Sequence, residues 1–136
     1  MNTVSFIEFE TWRIAAGNEQ AHDEMIRDWF NFVKAHHADL FAEWKSARYY
    51  REIDQDGRPT GAYIMLFEFH SREGHHAYKE RRKDWSGPYE AYKAVDPYQF
   101  FESESVMTRY WEPQETALWF EFDLPARVSA QDGQRS

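Results

Sequence analysis

Residues 62–85, AYIMLFEFHSREGHHAYKERRKDW, constrain this chain more than any other stretch. Ala62 to His70 reads as a strand, and side chains alternate across a strand. One face carries Tyr63, Met65, Phe67 and Phe69; the other carries Ile64, Leu66, Glu68 and His70. A strand apolar on both sides for most of its length has to be covered on both sides. Ser71 is placed to cap a following helix that reaches Trp85, with Glu73 in its first turn where a negative charge favours the helix dipole. That helix covers one face. A partner chain is the expected cover for the other.

The remaining elements follow from periodicity and breakers. Thr3 to Ile14 alternates and predicts a first strand. Ala15 to Asn18 reads as a turn, with Asn18 as N-cap. Glu19 to Trp44 carries apolar residues at helical spacing with no Gly or Pro, which predicts one long helix. Ser46 to Ile53 is a second strand, joined to the third through an Asp56-Gly57 turn. After a Gly87-Pro88 break, Tyr89 to Val95 is a short helix, Ser105 to Trp111 a fourth strand and Thr116 to Leu124 a fifth. Residues 1–125 read as one domain and residues 126–136 as a polar tail.

Composition narrows the function classes. A formal net charge of −8 argues against nucleic acid or an anionic membrane as partner. There is no cysteine, which removes disulfides, thiolate metal sites and thiol nucleophiles. The N-terminus lacks a signal-peptide pattern and no apolar run is long enough to span a membrane, so a cytoplasmic protein is expected. An aromatic content of 18% calls for a large sheet–helix core or a ring-lined pocket.

The order strand, helix, strand, strand, helix, strand, with right-handed crossovers, gives a ferredoxin-like βαββαβ sheet of order 4-1-3-2, both helices on one face, plus an extra C-terminal strand. Its other face is expected to expose Phe6, Trp12, Ile64 and Leu66, and a bare apolar face predicts association. In element order and in the stretch FEFHSREGHHAY the chain resembles the dimeric α+β barrel superfamily, which includes antibiotic-biosynthesis monooxygenases and stress-responsive barrel proteins. The resemblance covers roughly residues 3 to 112. It implies a homodimer built through the sheet face, a ligand cavity between each sheet and its own helices, and a C-terminal strand reaching towards the partner.

On the second helix His75, Tyr78, Arg82 and Trp85 share one face. With Tyr63, Phe67, Phe69 and Trp29 they would wall a pocket for a small aromatic ligand, His75 acting as base or donor and Arg82 clamping a phenolate or carboxylate. The plainer reading makes Tyr78 and Trp85 core, leaves His75 half-exposed and lets Arg82 snorkel. His36-His37 and His75-His76 are poor metal sites, because neighbouring helical residues point about 100° apart; no metal and no cofactor are expected. His22 and His36 read as core histidines. Glu8 and Glu10, with Glu68 and His70, could act as acid and base or bind a cation; the resemblance places that face in the dimer interface, where pairing to Arg48, Arg51 or Arg109 of either chain is the expected use. The run Lys79-Glu80-Arg81 with Lys83 reads as a solvated helix face.

Two functions fit. One is an enzyme of the cofactor-independent monooxygenase or cyclase/isomerase type acting on an aromatic or polyketide-like compound. The other is a non-catalytic dimer that binds a ligand or partner.

Overall fold

In a computed structural model that describes residues 5–84 and 87–125, the chain folds as β1 (Phe6–Arg13), α1 (Glu19–Ala35), α2 (His37–Leu40), β2 (Trp44–Ile53), β3 (Pro59–Phe69), α3 (Arg72–Arg82), α4 (Glu90–Lys93) and β4 (Met107–Trp111). The sheet is antiparallel in the order β2-β3-β1-β4, which is the 4-1-3-2 arrangement expected. The expected tail, residues 126–136, lies outside the described residues, as do Trp85 and the first four residues.

Local chemistry accounts for the joints. The β2–β3 turn closes because the Asp54 carboxylate accepts from the backbone N–H of Asp56 and Arg58, while Gly57 takes φ +84, a backbone angle that suits glycine. Ser71 caps α3, its Oγ accepting from Gly74 N at 2.9 Å. Asn18 holds the N-cap position of α1 without a side-chain cap bond.

The long helix expected from Glu19 to Trp44 is broken. α1 stops at Ala35, α2 is a single turn, and Trp44 already belongs to β2, opposite Phe69. The break turns Leu40, Phe41 and Trp44 inward, with Phe41 wholly buried, and His37 Nε2 bonds the Trp44 carbonyl at 2.7 Å where the strand begins. A straight 26-residue helix would carry Trp44 about 14 Å beyond the end of α1, at 1.5 Å per residue, and away from its strand partner. Tertiary packing outweighs the uninterrupted helical pattern.

The expected fifth strand is also absent. Thr116–Leu118 is a short 3-10 turn and the residues after it form no sheet pairing in this chain. Leu118, Trp119, Phe120, Phe122 and Leu124 stay exposed along this arm.

Register decides the faces. Phe6, Glu8, Glu10 and Trp12 stand opposite Phe69, Phe67, Met65 and Tyr63, so all eight point to one side. That side is the helix side, since Met65, Phe67, Phe69 and Trp12 are buried in the core. The expectation that Phe6 and Trp12 lie on the outer face is therefore corrected; the outer face carries Ile7, Phe9, Thr11, Ile64 and Leu66. Trp12 is 2% exposed and stacks on Phe101 at 4.4 Å. Among the described residues no helix is long and apolar enough to cross a membrane.

Candidate functional site

The flip of β1 brings two carboxylates into the layer between sheet and helices. Glu8 and Glu10 lie two residues apart on one face of β1, and both are buried. Within the chain neither carboxylate is ion-paired to Arg48, Arg51 or Arg109 among the described residues; Glu8 pairs instead with groups of α3. Arg48 and Arg109 stand opposite Leu66 and Phe9, residues of the outer face.

Each carboxylate has its own partners. His75, on α3, sets Nε2 at 2.8 Å from Glu8 Oε1, and Lys79, one turn further on, sets Nζ at 3.4 Å from the same oxygen. The i, i+4 spacing puts both donors on one helical face. Lys79 is thus no solvated bystander, and neither is Arg81, whose guanidinium makes two bonds to Glu43 at 2.8 and 2.6 Å. Glu10 accepts a short hydrogen bond from the Tyr98 hydroxyl and a longer one from Thr108 Oγ1 at 3.4 Å.

These surroundings drive the two carboxyls apart. Burial pushes Glu8 up, but the His75 hydrogen bond and the Lys79 charge outweigh it and leave Glu8 below the ordinary carboxylate value. Burial also pushes Glu10 up, the Glu8 charge adds to it, and the Tyr98, Lys79 and Thr108 contacts offset it only in part. The Tyr98 phenol is raised by burial and by the negative charge of Glu10.

A cavity of about 40 Å³ opens over this pair. β1 contributes Glu8, Glu10 and Trp12; β3 contributes Met65, Phe67 and Phe69; α1 contributes Ile26 and Trp29; α3 contributes Tyr78, Lys79 and Arg82. Trp44 of β2, and Tyr92, Pro97, Tyr98 and Phe101 from the segment after α3, complete the lining. Beside it is a recess of about 230 Å³ lined by Trp29, Arg82, Tyr92, Asp96 and Tyr98.

Of the residues singled out in the sequence, Trp29, Phe67, Phe69, Tyr78 and Arg82 meet at this cavity. His75 reaches it through Glu8. The Tyr78 ring is 1% exposed, lies 5.3 Å from the Trp44 ring and has the Arg82 guanidinium 5.5 Å from its centroid. Tyr63 lies elsewhere, stacked on Tyr49 at 5.6 Å beside the buried His22, whose Nε2 is 3.3 Å from Tyr49 Oη. Trp85 lies outside the described residues. Sequence reasoning named Glu8 and Glu10 but favoured interface pairing for them, read Lys79 as solvated, and passed over Tyr92 and Tyr98. An i, i+2 carboxylate pair on an otherwise aromatic strand face was the one signal for the first two. Among the described residues no group of three His, Asp or Glu side chains is placed to hold a metal ion.

No family model matches the sequence, and no curated protein matches it. Solved structures do. A NIPSNAP family protein from Agrobacterium tumefaciens aligns at 16% identity over 85% of this chain and 90% of its own, with a TM-score of 0.57. A monooxygenase from Streptomyces coelicolor, solved in complex with nanaomycin D, aligns at 13% identity over 90% and 94%, with a TM-score of 0.52. A cofactor-independent oxygenase from Streptomyces nogalater aligns at 10% identity over 85% and 98%, with a TM-score of 0.53. At these identities the likeness is one of fold: the chain has a ferredoxin-like α+β fold.

Proposed function

We propose that the chain is a cytoplasmic small-molecule enzyme of the cofactor-independent monooxygenase or cyclase/isomerase type, acting on an aromatic or polyketide-like compound. One observation carries the reading: Glu8 and Glu10 share a buried, ring-lined face, and their surroundings shift them in opposite directions. Two carboxyls pushed apart in this way divide the labour of acid and base. Glu8 stays ionised under His75 and Lys79. Glu10 holds its proton more tightly and exchanges it with the substrate. His75 and Lys79 orient Glu8, Arg82 steadies a developing oxyanion, and Trp29, Phe67, Phe69 and Tyr78 clasp a planar ring. Both reaction types begin with proton transfer at an activated carbon or hydroxyl, which an acid and a base can perform. The oxygenase and monooxygenase among the structural neighbours support this choice.

The test is turnover of a panel of anthrones, naphthols and 1,3-diketones, followed by oxygen uptake and absorbance. Wild type should convert at least one, and Glu10→Gln should lower the rate by about 10²-fold or more. If no compound is converted, the second reading takes its place: a non-catalytic dimeric ligand-binding or interaction protein. The outer sheet face and the exposed aromatic arm favour assembly under either reading, and we infer a homodimer formed through that face.

A further inference from the structure

Tyr98 stands between two spaces. Together with Trp29, Arg82 and Tyr92 it lines both the 40 Å³ cavity over Glu10 and the 230 Å³ recess beside it. Its hydroxyl is inside, donating to Glu10 across 88 residues of sequence, yet the residue as a whole is 45% exposed. It sits in one 3-10 turn, Pro97–Phe100, which the Asp96 carboxylate caps by accepting from Tyr98 N at 2.9 Å.

Size sets the question. A space of 40 Å³ admits water, which needs about 10–15 Å³, but is far below the roughly 150 Å³ in which a benzene ring has been held. The recess is large enough for one ring, but Tyr98 occupies the position from which Glu10 can be reached. With Tyr98 in place, no aromatic compound bonds this carboxyl.

We propose that Tyr98 is a built-in stand-in for the ligand: Glu10 accepts the hydroxyl of a phenol or enol, and such a compound enters by displacing Tyr98 from Glu10 and joining the two spaces into one chamber. The surroundings of Glu10 already fit a phenol, because a phenol is what they hold. Aromatic walls face the ring, the carboxyl faces the hydroxyl, and Arg82 borders both spaces. A hydrocarbon of the same shape leaves Glu10 with a lost partner in a buried place, so the site selects for the hydroxyl. The bound state competes with the closed one, and the apparent affinity falls by the fraction of molecules in which Tyr98 is displaced. The inference rests on reading this cavity as the substrate site. It is tested by binding alone, so an absence of turnover leaves it standing and a failure to bind phenol leaves the acid–base pair standing.

The experiment titrates phenol and toluene into wild type, Tyr98→Ala and Tyr98→Phe by calorimetry, with thermal unfolding alongside. Tyr98→Ala should bind phenol at least about tenfold more tightly than wild type does, and about tenfold or more in preference to toluene. Phenol should also raise its melting temperature towards that of wild type. Adding Glu10→Leu should abolish the preference for phenol over toluene. Should Tyr98→Ala fail to fold even with phenol present, Tyr98→Phe decides, since it keeps the ring and removes only the competing hydroxyl; it should gain about tenfold in phenol affinity. Phenol bound no more tightly by the folded variants than by wild type, or phenol and toluene bound alike, would overturn the proposal.

Discussion

His75 Nε2 lies 2.8 Å from Glu8 Oε1, and the two side chains are only 13% and 5% exposed. A half-exposed helix histidine would be replaceable at little cost; this one is not. Its ring also packs 4.9 Å from Phe6 and 4.6 Å from Phe69. His75→Ala should destabilise the fold by about 1–3 kcal/mol, because a buried carboxylate loses a charge-assisted partner and keeps only Lys79. The Glu8 carboxyl, followed by NMR titration, should move up. Its lowered value in the fold adds stability at pH above the ordinary 4.5, and that stability is lost as pH falls through the folded value. An unchanged Glu8 titration in the variant would show that the pair carries no such coupling.

Glu10 gives the opposite dependence. Its folded value is raised, mainly by burial, so the fold is favoured below the ordinary carboxylate value and loses that advantage as pH rises through the folded value. Glu10→Gln keeps an acceptor for Tyr98 and removes the charge. The variant should therefore gain stability relative to wild type at pH 8 compared with pH 5. Thermal unfolding at the two pH values measures this; equal differences at both would refute it.

His22 is 2% exposed among Trp12, Tyr49, Tyr63 and Phe101, and burial holds its pKa below the ordinary 6.5. A group depressed in this way favours its neutral form in the fold. The unfolded chain takes up its proton first, so stability falls as pH drops below 6.5 towards the folded value. His22→Gln should flatten the stability profile across that range. A profile as steep as that of wild type would place the acid sensitivity elsewhere.

Leu66 and Ile64 stand on the outer sheet face with Ile7 and Phe9. Light scattering at micromolar concentration should give a dimer, with an obligate-sized interface above about 2,000 Å². Leu66→Arg should shift it to monomer, since an unpaired charge at the centre of such an interface costs several kcal/mol. A wild-type monomer at that concentration would remove the interface.

What the sequence alone determined is what local chemistry governs. The alternation of Tyr63, Met65, Phe67 and Phe69 marks a strand whatever surrounds it, Ser71 offers an oxygen to the next helix, and Asp54 with Gly57 shapes a turn within five residues. From those elements and the handedness of crossovers the sheet order followed. The phase of β1 did not. Both of its faces mix apolar and polar residues, so periodicity alone cannot tell which one points to the helices; pairing with β3, more than fifty residues away, fixes it, and a shift of one residue would reverse every side chain. That one choice moved Glu8 and Glu10 from an expected interface into a buried site. The break after Ala35 likewise has no Gly or Pro to announce it, and arises because Phe41 and Trp44 gain more from the core and the sheet than from continuing the helix. Tyr98 meets Glu10 from 88 residues away, a distance at which only the folded chain decides which groups touch.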